Sequence, residues 1–245
     1  MSAPGCADAG TASPGSPRRP AKAASSPPTQ APGAWQSTVV GHSVRGRPIR
    51  AYHTGPPNPV RTTLVVGCVH GNEPAGEAIT RRLRRTVAPS GTALWVVDVF
   101  NPDGRRANTR QNAHGVDLNR NSPWHWRPLD RPGGTYYSGP RPLSEPESRA
   151  INRLVERIHP NVSIWYHQHA RLVDDSAGNR AVEADYARRV GLPLGKLGPY
   201  PGSITDWQDA MFPGDTAFVV ELPAGRLSRR SVARHVAAVL ALTKP

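Results

Sequence analysis

Four runs of mostly apolar residues, each of strand length, alternate with helical patterns along this chain. The runs are 62–69, 93–100, 162–166 and 216–222. They lack the polar alternation of a strand with one wetted face, which is typical of parallel strands covered on both sides. Helices are predicted at 75–86, at 145–158 with Ser144 as the N-cap, at 180–190 and at 228–242. This order predicts an α/β fold with a mixed, mostly parallel central sheet sandwiched by helices.

The first 34 residues differ in composition from the rest of the chain. They contain no aromatic residue and no Ile, Leu or Val, and Pro, Gly, Ala and Ser fill 25 of the 34 positions. Such a segment has little apolar surface to bury against the entropy of ordering, so we expect a disordered tail over 1–34 and one folded domain over 35–245. Residues 3–6, Ala-Pro-Gly-Cys, resemble the end of a lipoprotein signal. A start site upstream of Met1 would imply a secreted or cell-envelope protein, and otherwise a cytoplasmic location is expected.

The charge and cysteine content of the chain argue against several classes of protein. The chain has 31 Lys and Arg against 18 Asp and Glu, a formal net charge of +13. The arginines are spread along the sequence and no known nucleic-acid-binding motif is present, so specific nucleic-acid binding is not predicted. Cys6 and Cys68 are too few for a disulfide framework or a cysteine-based zinc finger. No apolar run approaches the roughly 18 residues of a membrane span.

Residues with metal-binding chemistry follow two of the predicted strands. His70 and Glu73 come after strand 62–69, and His167 comes after strand 162–166. Because ligands of open α/β sheets bind beyond the carboxyl ends of the strands, these side chains are expected at one edge. Two histidines and a glutamate are a ligand set of catalytic zinc. Taken alone, however, His70-x-x-Glu73 also fits a polar strand end followed by an acid in the first helical turn.

Further polar residues lie where a purely structural role explains them poorly. Glu221 falls inside the apolar run 216–222. A carboxylate in a buried strand costs several kcal/mol unless it is paired or functional. The segment 101–137 is rich in Gly, Pro and Asn and has no periodicity, and loops of that length are usually functional. It contains Arg110 and Arg120, both accompanied by amide side chains.

Six short motifs, in this order, resemble the zinc carboxypeptidases of the M14 class. They are His70-x-x-Glu73, Asn-Pro-Asp-Gly at 101–104, Gly-Val-Asp-Leu-Asn-Arg-Asn at 115–121, His167 after a strand, Gly-Ser-Ile at 202–204 with Asp206-Trp207, and Glu221 in Val-Glu-Leu. Each motif is weak alone, but six in the family's order are specific. The amino-acid sequences around the first and third motifs are most similar to those of the bacterial murein peptide amidase branch.

The resemblance implies a zinc carboxypeptidase-like catalytic domain with one Zn²⁺ per chain, held by His70, Glu73 and His167. It implies that Arg110 polarises the scissile carbonyl and that Glu221 is the general base and acid. Both roles agree with general chemistry, since a carboxylate can move protons and a fixed arginine can stabilise charge that develops in the transition state.

The resemblance also suggests how the substrate is held. It implies that Asn119 and Arg120 bind the substrate carboxylate. Tyr200 lies near the position of the family's capping tyrosine, although closer to Gly202 than the family pattern has it. Of the two nearby histidines, His167 is expected to be the ligand, because an extended chain would carry His169 about 6.5 Å further.

These residues predict hydrolysis of a peptide or amide bond next to a free carboxylate, with murein peptides as a candidate substrate and a monomeric enzyme. Aspartoacylase-like deacylases of N-acyl amino acids are an alternative, since they share the His-x-x-Glu and Asp-Leu-Asn-Arg motifs. A non-catalytic wall- or nucleic-acid-binding module on the same scaffold is a second alternative. The complete ligand set together with Glu221 argues against the loss of catalysis.

Overall fold

The computed structural model describes residues 1–2 and 34–244. The tail predicted over 1–34 therefore lies outside the described residues, except for residues 1, 2 and 34. The strands are β1 Gln36–His42, β2 Pro48–Thr54, β3 Arg61–Val66, β4 Thr92–Val97, β5 Val162–Gln168, β6 Leu172–Asp174, β7 Leu194–Gly195 and β8 Thr216–Leu222. The helices are α1 Glu77–Leu83, α2 Pro102–Ala107, α3 Pro146–Ile158, α4 Arg180–Val190, α5 Ile204–Met211 and α6 Arg229–Thr243.

All eight strands form one sheet in the order β1-β2-β4-β3-β5-β8-β6-β7. The central strands β4, β3, β5 and β8 are mutually parallel, and β6 pairs in parallel with β7. The hairpin β1–β2 adds to β4 in antiparallel fashion, and β6 is antiparallel to β8. The prediction of a mixed, mostly parallel sheet is confirmed. The short strands β6 and β7 were not predicted, because two or three residues are too few to show a period.

Helices cover both faces of the sheet, which explains why the central strands are apolar along their whole length. Within β3, Val65 packs into the layer that contains α1, α4 and α6. Its neighbours Leu64 and Val66 pack into the opposite layer, with α3 and α5. Successive side chains of a strand point to opposite faces, so a strand buried on both sides needs apolar residues at every position.

Several predicted element ends differ from the structure. The predicted helix 75–86 consists of a short 3-10 turn at Pro74–Gly76 followed by α1, which ends at Leu83. The predicted N-cap Ser144 is wrong, because Glu145 stands at the N-cap position of α3, where its side chain makes no capping hydrogen bond. The Ser144 hydroxyl instead lies 2.7 Å from a Glu145 carboxylate oxygen. Proline at the first helical position of α3 moves the cap to the residue that directly precedes it.

The motif at 101–104, which falls at the beginning of the predicted loop 101–137, is the start of α2. The side chain of Asn101 accepts a hydrogen bond of 2.8 Å from the backbone N–H of Gly104. This is the bond that an N-cap makes, and Pro102 stands at the first helical position, where its missing N–H costs nothing. The motif therefore starts a helix within the predicted long loop.

Arginines that are scattered in the sequence meet on the surface of the fold. One groove of about 480 Å³ is lined by Arg47, Arg50, Arg105 and Arg106. Two of them are neutralised, because Arg47 pairs with Asp103 and Arg105 with Glu77. The even spread of arginine along the sequence is therefore not retained in three dimensions. In the part of the chain that the structure describes, no helix combines the length and apolar character needed to cross a bilayer.

Candidate metal centre and active site

The three predicted zinc ligands converge at one point at the carboxyl ends of β3 and β5. Nδ1 of His70 lies 3.0 Å from Oε1 of Glu73, and Nδ1 of His167 lies 3.0 Å from Oε2 of the same carboxylate. The two Nδ1 atoms are 3.1 Å apart. All three side chains are buried, and among the described residues they are the one group of three or more His, Cys, Asp or Glu side chains compact enough to hold a metal ion.

The parallel pairing of β3 and β5 explains why residues almost a hundred positions apart meet. His70 and Glu73 lie in the turn after β3, where the Glu73 N–H donates to the His70 carbonyl oxygen at 3.0 Å. His167 lies within β5, which continues to Gln168 rather than ending before His167 as predicted. His169 is exposed beyond the strand end and is not in the cluster. The structure thus brings His167, not His169, to His70 and Glu73.

Close backbone packing holds the turn of His70 and Glu73 against α2. A Cβ atom at Gly71 would lie 1.9 Å from the carbonyl carbon of Gly104. Only glycine at position 71 allows this approach without a shift of the backbone. The small residue between the two ligands therefore permits the contact between the metal centre and α2.

Asp117 orients His70 from the side opposite the cluster. Its Oδ1 atom lies 3.0 Å from Nε2 of His70, and Asp117 is fully buried. A carboxylate at this distance keeps the proton on Nε2, so the lone pair of Nδ1 faces the cluster. Metal-binding histidines typically have such a carboxylate partner, which raises their basicity. Sequence reasoning gave Asp117 no role, although it lies in the motif at 115–121.

The electrostatics of the cluster favour a bound cation. Burial opposes charge on His70, but the negative charge and hydrogen bond of Asp117 raise its pKa above the usual range. Burial also opposes charge on Glu73, but hydrogen bonds from His167 and His70 hold the pKa of its carboxyl well below the usual range. Two imidazole nitrogens and a carboxylate that face one another at 3.0–3.1 Å need a positive charge between them. The residues present therefore fit a zinc ion.

Replacing Asp117 by Asn is expected to weaken Zn²⁺ binding about 10- to 100-fold. The amide preserves the shape of the side chain but removes the charge that polarises His70. Competition with a chromogenic chelator would measure the dissociation constant. Asp98→Asn is the control, because Asp98 pairs with Arg84 outside the cluster. Equal zinc affinity of Asp117→Asn and the wild type would contradict this role.

A cavity of about 160 Å³ opens beside the cluster and gathers the remaining predicted site residues. His70 and His167 form part of its wall. The other predicted residues that line it are Arg110, Asn119, Arg120, Tyr200 and Glu221. Residues from six separate segments of the sequence therefore share one small space.

Arg110 bridges the cavity and the metal cluster. Its Nη1 atom lies 3.2 Å from Oε1 of Glu73, and its Nε donates to Oδ2 of Asp117 at 2.9 Å. Two carboxylates therefore hold the guanidinium on separate sides. Because this position is fixed before any substrate arrives, little reorganisation is needed when negative charge develops nearby.

Arg120 and Asn119 present hydrogen-bond donors to the same cavity. Arg120 is buried, donates from Nη1 to the Asn119 carbonyl oxygen at 2.6 Å, and stacks on Tyr200 with 4.2 Å from Cζ to the ring centroid. The side-chain oxygen of Asn119 accepts from the Ile204 N–H at 3.1 Å, so its NH₂ group is the part left for a ligand. A buried guanidinium beside an amide donor is suited to bind a carboxylate.

Glu221 is not buried as the sequence argument assumed. It is the one half-exposed residue of β8, and its side chain reaches the cavity. Oε2 accepts a hydrogen bond of 3.2 Å from the Ala170 N–H, while Glu221 stands beside His167 in the register of β5 and β8. The penalty for full burial therefore does not apply. What distinguishes Glu221 is a carboxylate that lines the same cavity as His167.

The residues that line the cavity without having been predicted as site residues include Tyr136, Asp174 and Asp206. The Tyr136 ring lies 5.3 Å from Cζ of Arg110 and 5.5 Å from Cζ of Arg120. Tyr136 belongs to the aperiodic segment 101–137, where no local pattern marks one residue above another. Asp206 was visible only as part of the motif that begins at 202, and Asp174 carried no sequence signal.

Comparison with known proteins agrees with this geometry. Residues 28–179 match the family model of the zinc carboxypeptidases, Peptidase M14. Murein peptide amidase A of Escherichia coli K12 is 31% identical over 184 residues, which cover 68% of this chain and 74% of that protein.

Solved structures show the same fold. The murein-tripeptide amidase MpaA of Escherichia coli O157 superposes with a TM-score of 0.69 at 27% identity, over 84% of this chain and 91% of that chain. Carboxypeptidase A of Helicoverpa armigera shares the fold, with a TM-score of 0.73 at 17% identity, over 86% of this chain and 68% of that chain.

These matches support the hydrolase interpretation over a non-catalytic module. The matched family uses zinc and hydrolyses peptide or amide bonds, which agrees with the ligand cluster found here. From its motifs, its fold and these relatives, the chain belongs to the zinc carboxypeptidase family, M14.

Proposed function

We propose that this enzyme hydrolyses the amide bond that precedes a terminal, carboxylate-bearing residue of murein peptides. The observation that carries the proposal is the cavity of about 160 Å³, which is lined by Arg120, by Glu221 and by both histidines of the metal cluster. The curated relative from Escherichia coli K12 is named as a murein peptide amidase, which supports the substrate class. We expect the substrate to be a muropeptide with a free carboxylate.

Substrate binding is assigned to Arg120 and Asn119. The guanidinium and the Asn119 NH₂ group would together bind the terminal carboxylate of the substrate. Tyr200 and Tyr136 flank Arg120 and restrict the approach to it. Because the group bound by Arg120 would be a terminal carboxylate, cleavage is expected at the end of a peptide and not within a long chain.

The chemical step is assigned to Glu221 and Arg110 beside the metal. His70, Glu73 and His167 would hold zinc, which supplies a Lewis acid that polarises carbonyls and acidifies water. Oε1 of Glu221 would accept the proton of the attacking water and deliver it to the leaving nitrogen. Arg110 would donate hydrogen bonds to the carbonyl oxygen as it becomes negative.

The proposed activity is tested with zinc-loaded protein and three substrate types, with the products identified by mass spectrometry. We expect cleavage of the murein tripeptide, and at least about 100-fold slower cleavage of the same tripeptide amidated at its carboxyl end. Benzoyl-capped dipeptides test general carboxypeptidase activity, and N-acyl amino acids test the deacylase alternative. Preferential turnover of N-acyl amino acids, or indifference to amidation, would contradict the proposal.

Replacing Arg120 by Lys is expected to raise KM for the murein tripeptide about 10- to 100-fold while kcat changes little. Lysine retains the charge but loses the planar pair of donors that matches a carboxylate. Because the carboxylate is bound equally in the ground state and the transition state, the loss appears in KM. Steady-state kinetics measure both constants, with the exposed Arg106→Lys as control. A fall in kcat at unchanged KM would assign Arg120 a different role.

A further inference from the structure

Two grooves on the surface of the fold are lined by arginine. The first, of about 480 Å³, lies between β2 and α2, and its wall includes Arg50 and Arg106. The second, of about 450 Å³, lies along α1 and includes Arg82 and Arg85. These four side chains are exposed. Neither groove shares a lining residue with the substrate cavity, so this surface is separate from the active site.

A single carboxylate joins the two grooves. Glu77, which is buried at the start of α1, accepts a hydrogen bond from Arg105 of the first groove on one oxygen and from Arg81 of the second groove on the other. One negative charge therefore serves two positive charges, and the two grooves meet at Glu77. We call the resulting surface the arginine track. Its members are Arg50, Arg105, Arg106, Arg81, Arg82 and Arg85.

The positive charge of the arginine track is mostly uncompensated. The members that do not contact Glu77 form no ion pair with any residue that the structure describes. A single exposed arginine is simply hydrated and indicates nothing. Several along two adjoining grooves, in a chain with a net charge of +13, create a positive potential that concentrates anions. The surface therefore has the charge of an anion-binding site.

The aromatic residue of the first groove is not free to stack on a ligand. Among the described residues that line the two grooves, Tyr52 is the only aromatic one. It packs against the core, and Cζ of Arg84 lies 3.9 Å from the centroid of its ring. Arg84 is itself held by Asp98 at 2.7 Å. Proteins that bind single-stranded nucleic acids stack the bases on aromatic side chains. The arginine track offers charge without such stacking.

We propose that the arginine track binds a linear polymer of phosphate groups that carries no bases, such as a chain of polyols linked by phosphodiesters. Guanidinium groups donate paired hydrogen bonds to phosphate and stay charged at every physiological pH. A phosphate has more free oxygens than a carboxylate and can accept from more than one arginine. Two grooves that meet end to end suit an extended chain better than a small anion.

A polymer bound here would hold the enzyme in place without blocking the substrate cavity. Arg105 and Arg106 belong to α2, which also packs against the turn of the zinc ligands through Gly71 and Gly104. One short helix therefore separates the track from the metal centre. If the polymer is part of the cell wall, binding raises the concentration of the enzyme close to murein. This consequence rests on the proposed function, whereas the binding itself does not.

The experiment measures the fluorescence anisotropy of an end-labelled chain of abasic deoxyribose phosphates, titrated with the zinc-loaded full chain at several NaCl concentrations. We expect Kd on the order of 10⁻⁵ M at physiological salt. The logarithm of the binding constant should fall with the logarithm of the salt concentration with a slope of about −3, as about four phosphate contacts require. The assay contains no murein peptide, so its outcome is independent of the proposed hydrolysis.

Two further probes distinguish the kind of anion. Oligothymidylate with the same number of phosphates differs from the abasic chain only in its bases, and we expect it to bind no more tightly. Polyglutamate of equal charge is expected to bind at least about 10-fold more weakly, because its carboxylates offer fewer oxygens. Tighter binding of oligothymidylate would assign the track to nucleic acid and overturn the proposal. Equal binding of polyglutamate would also overturn it.

Replacing Arg50 or Arg82 by Gln tests whether one chain contacts both grooves. Each variant is expected to weaken binding about 3- to 10-fold and to reduce the steepness of the salt dependence by about 0.7. Combining the two should add the losses. The control Arg153→Gln/Arg157→Gln has the same net charge as this double variant, and both of its positions are exposed on α3, in the opposite helix layer. We expect it to bind like the wild type.

Because all the substituted side chains are exposed, the variants should fold, and an unchanged near-UV circular dichroism spectrum would show it. Equal losses in the control and in the double variant of the track would reveal a general effect of charge and overturn the proposal. Full affinity of Arg82→Gln would overturn it too, since the chain would then contact the first groove alone.

Discussion

Replacing Glu221 by Gln is expected to lower kcat about 10³-fold while the enzyme retains its zinc. General acid and base catalysis contributes about 10²- to 10⁴-fold, and an amide cannot accept the proton that a carboxylate accepts. Glu221 lies outside the cluster of His70, Glu73 and His167, so the metal site is unaffected. Steady-state kinetics with the murein tripeptide and metal analysis of the same sample measure the two quantities.

A matched control makes this test specific. Glu156→Gln, on the exposed side of α3, should leave kcat unchanged. Full turnover by Glu221→Gln would refute the proposed mechanism.

Replacing His167 by Ala is expected to abolish both zinc retention and activity, whereas His169→Ala keeps the metal. The first variant removes one of three ligands from a buried cluster with spacings of 3.0–3.1 Å. His169 is exposed and lies outside that cluster. After zinc loading and gel filtration, His167→Ala should contain less than about 0.2 zinc per chain, and His169→Ala about one.

The two histidines are controls for each other, since they differ by two positions in one segment. Near-UV circular dichroism would show that His167→Ala keeps its tertiary packing, so that loss of zinc is not a consequence of unfolding. Loss of zinc by His169→Ala with retention by His167→Ala would show that the ligand assignment is wrong. It would leave the assignment of His70 and Glu73 intact.

Local patterns predicted the elements that are long and regular. The run 216–222 and the helix 180–190 match β8 and α4 residue for residue, because burial on both faces and helical periodicity are repeated along the segment. The ends were less predictable: α1 stops at Leu83, and Glu145 instead of Ser144 stands at the N-cap position of α3. Such ends depend on a single cap or proline and not on a repeated pattern.

The sequence by itself determined the α/β class, the zinc ligand types and the order of the family motifs, since these follow from periodicity and residue chemistry. Only the tertiary structure showed that Asp117 orients His70, that Tyr136 reaches Arg120 and that Glu221 faces a cavity. The physical reason is that these contacts join residues far apart in the chain. Their distances are set by strand register and helix packing, which no local pattern encodes.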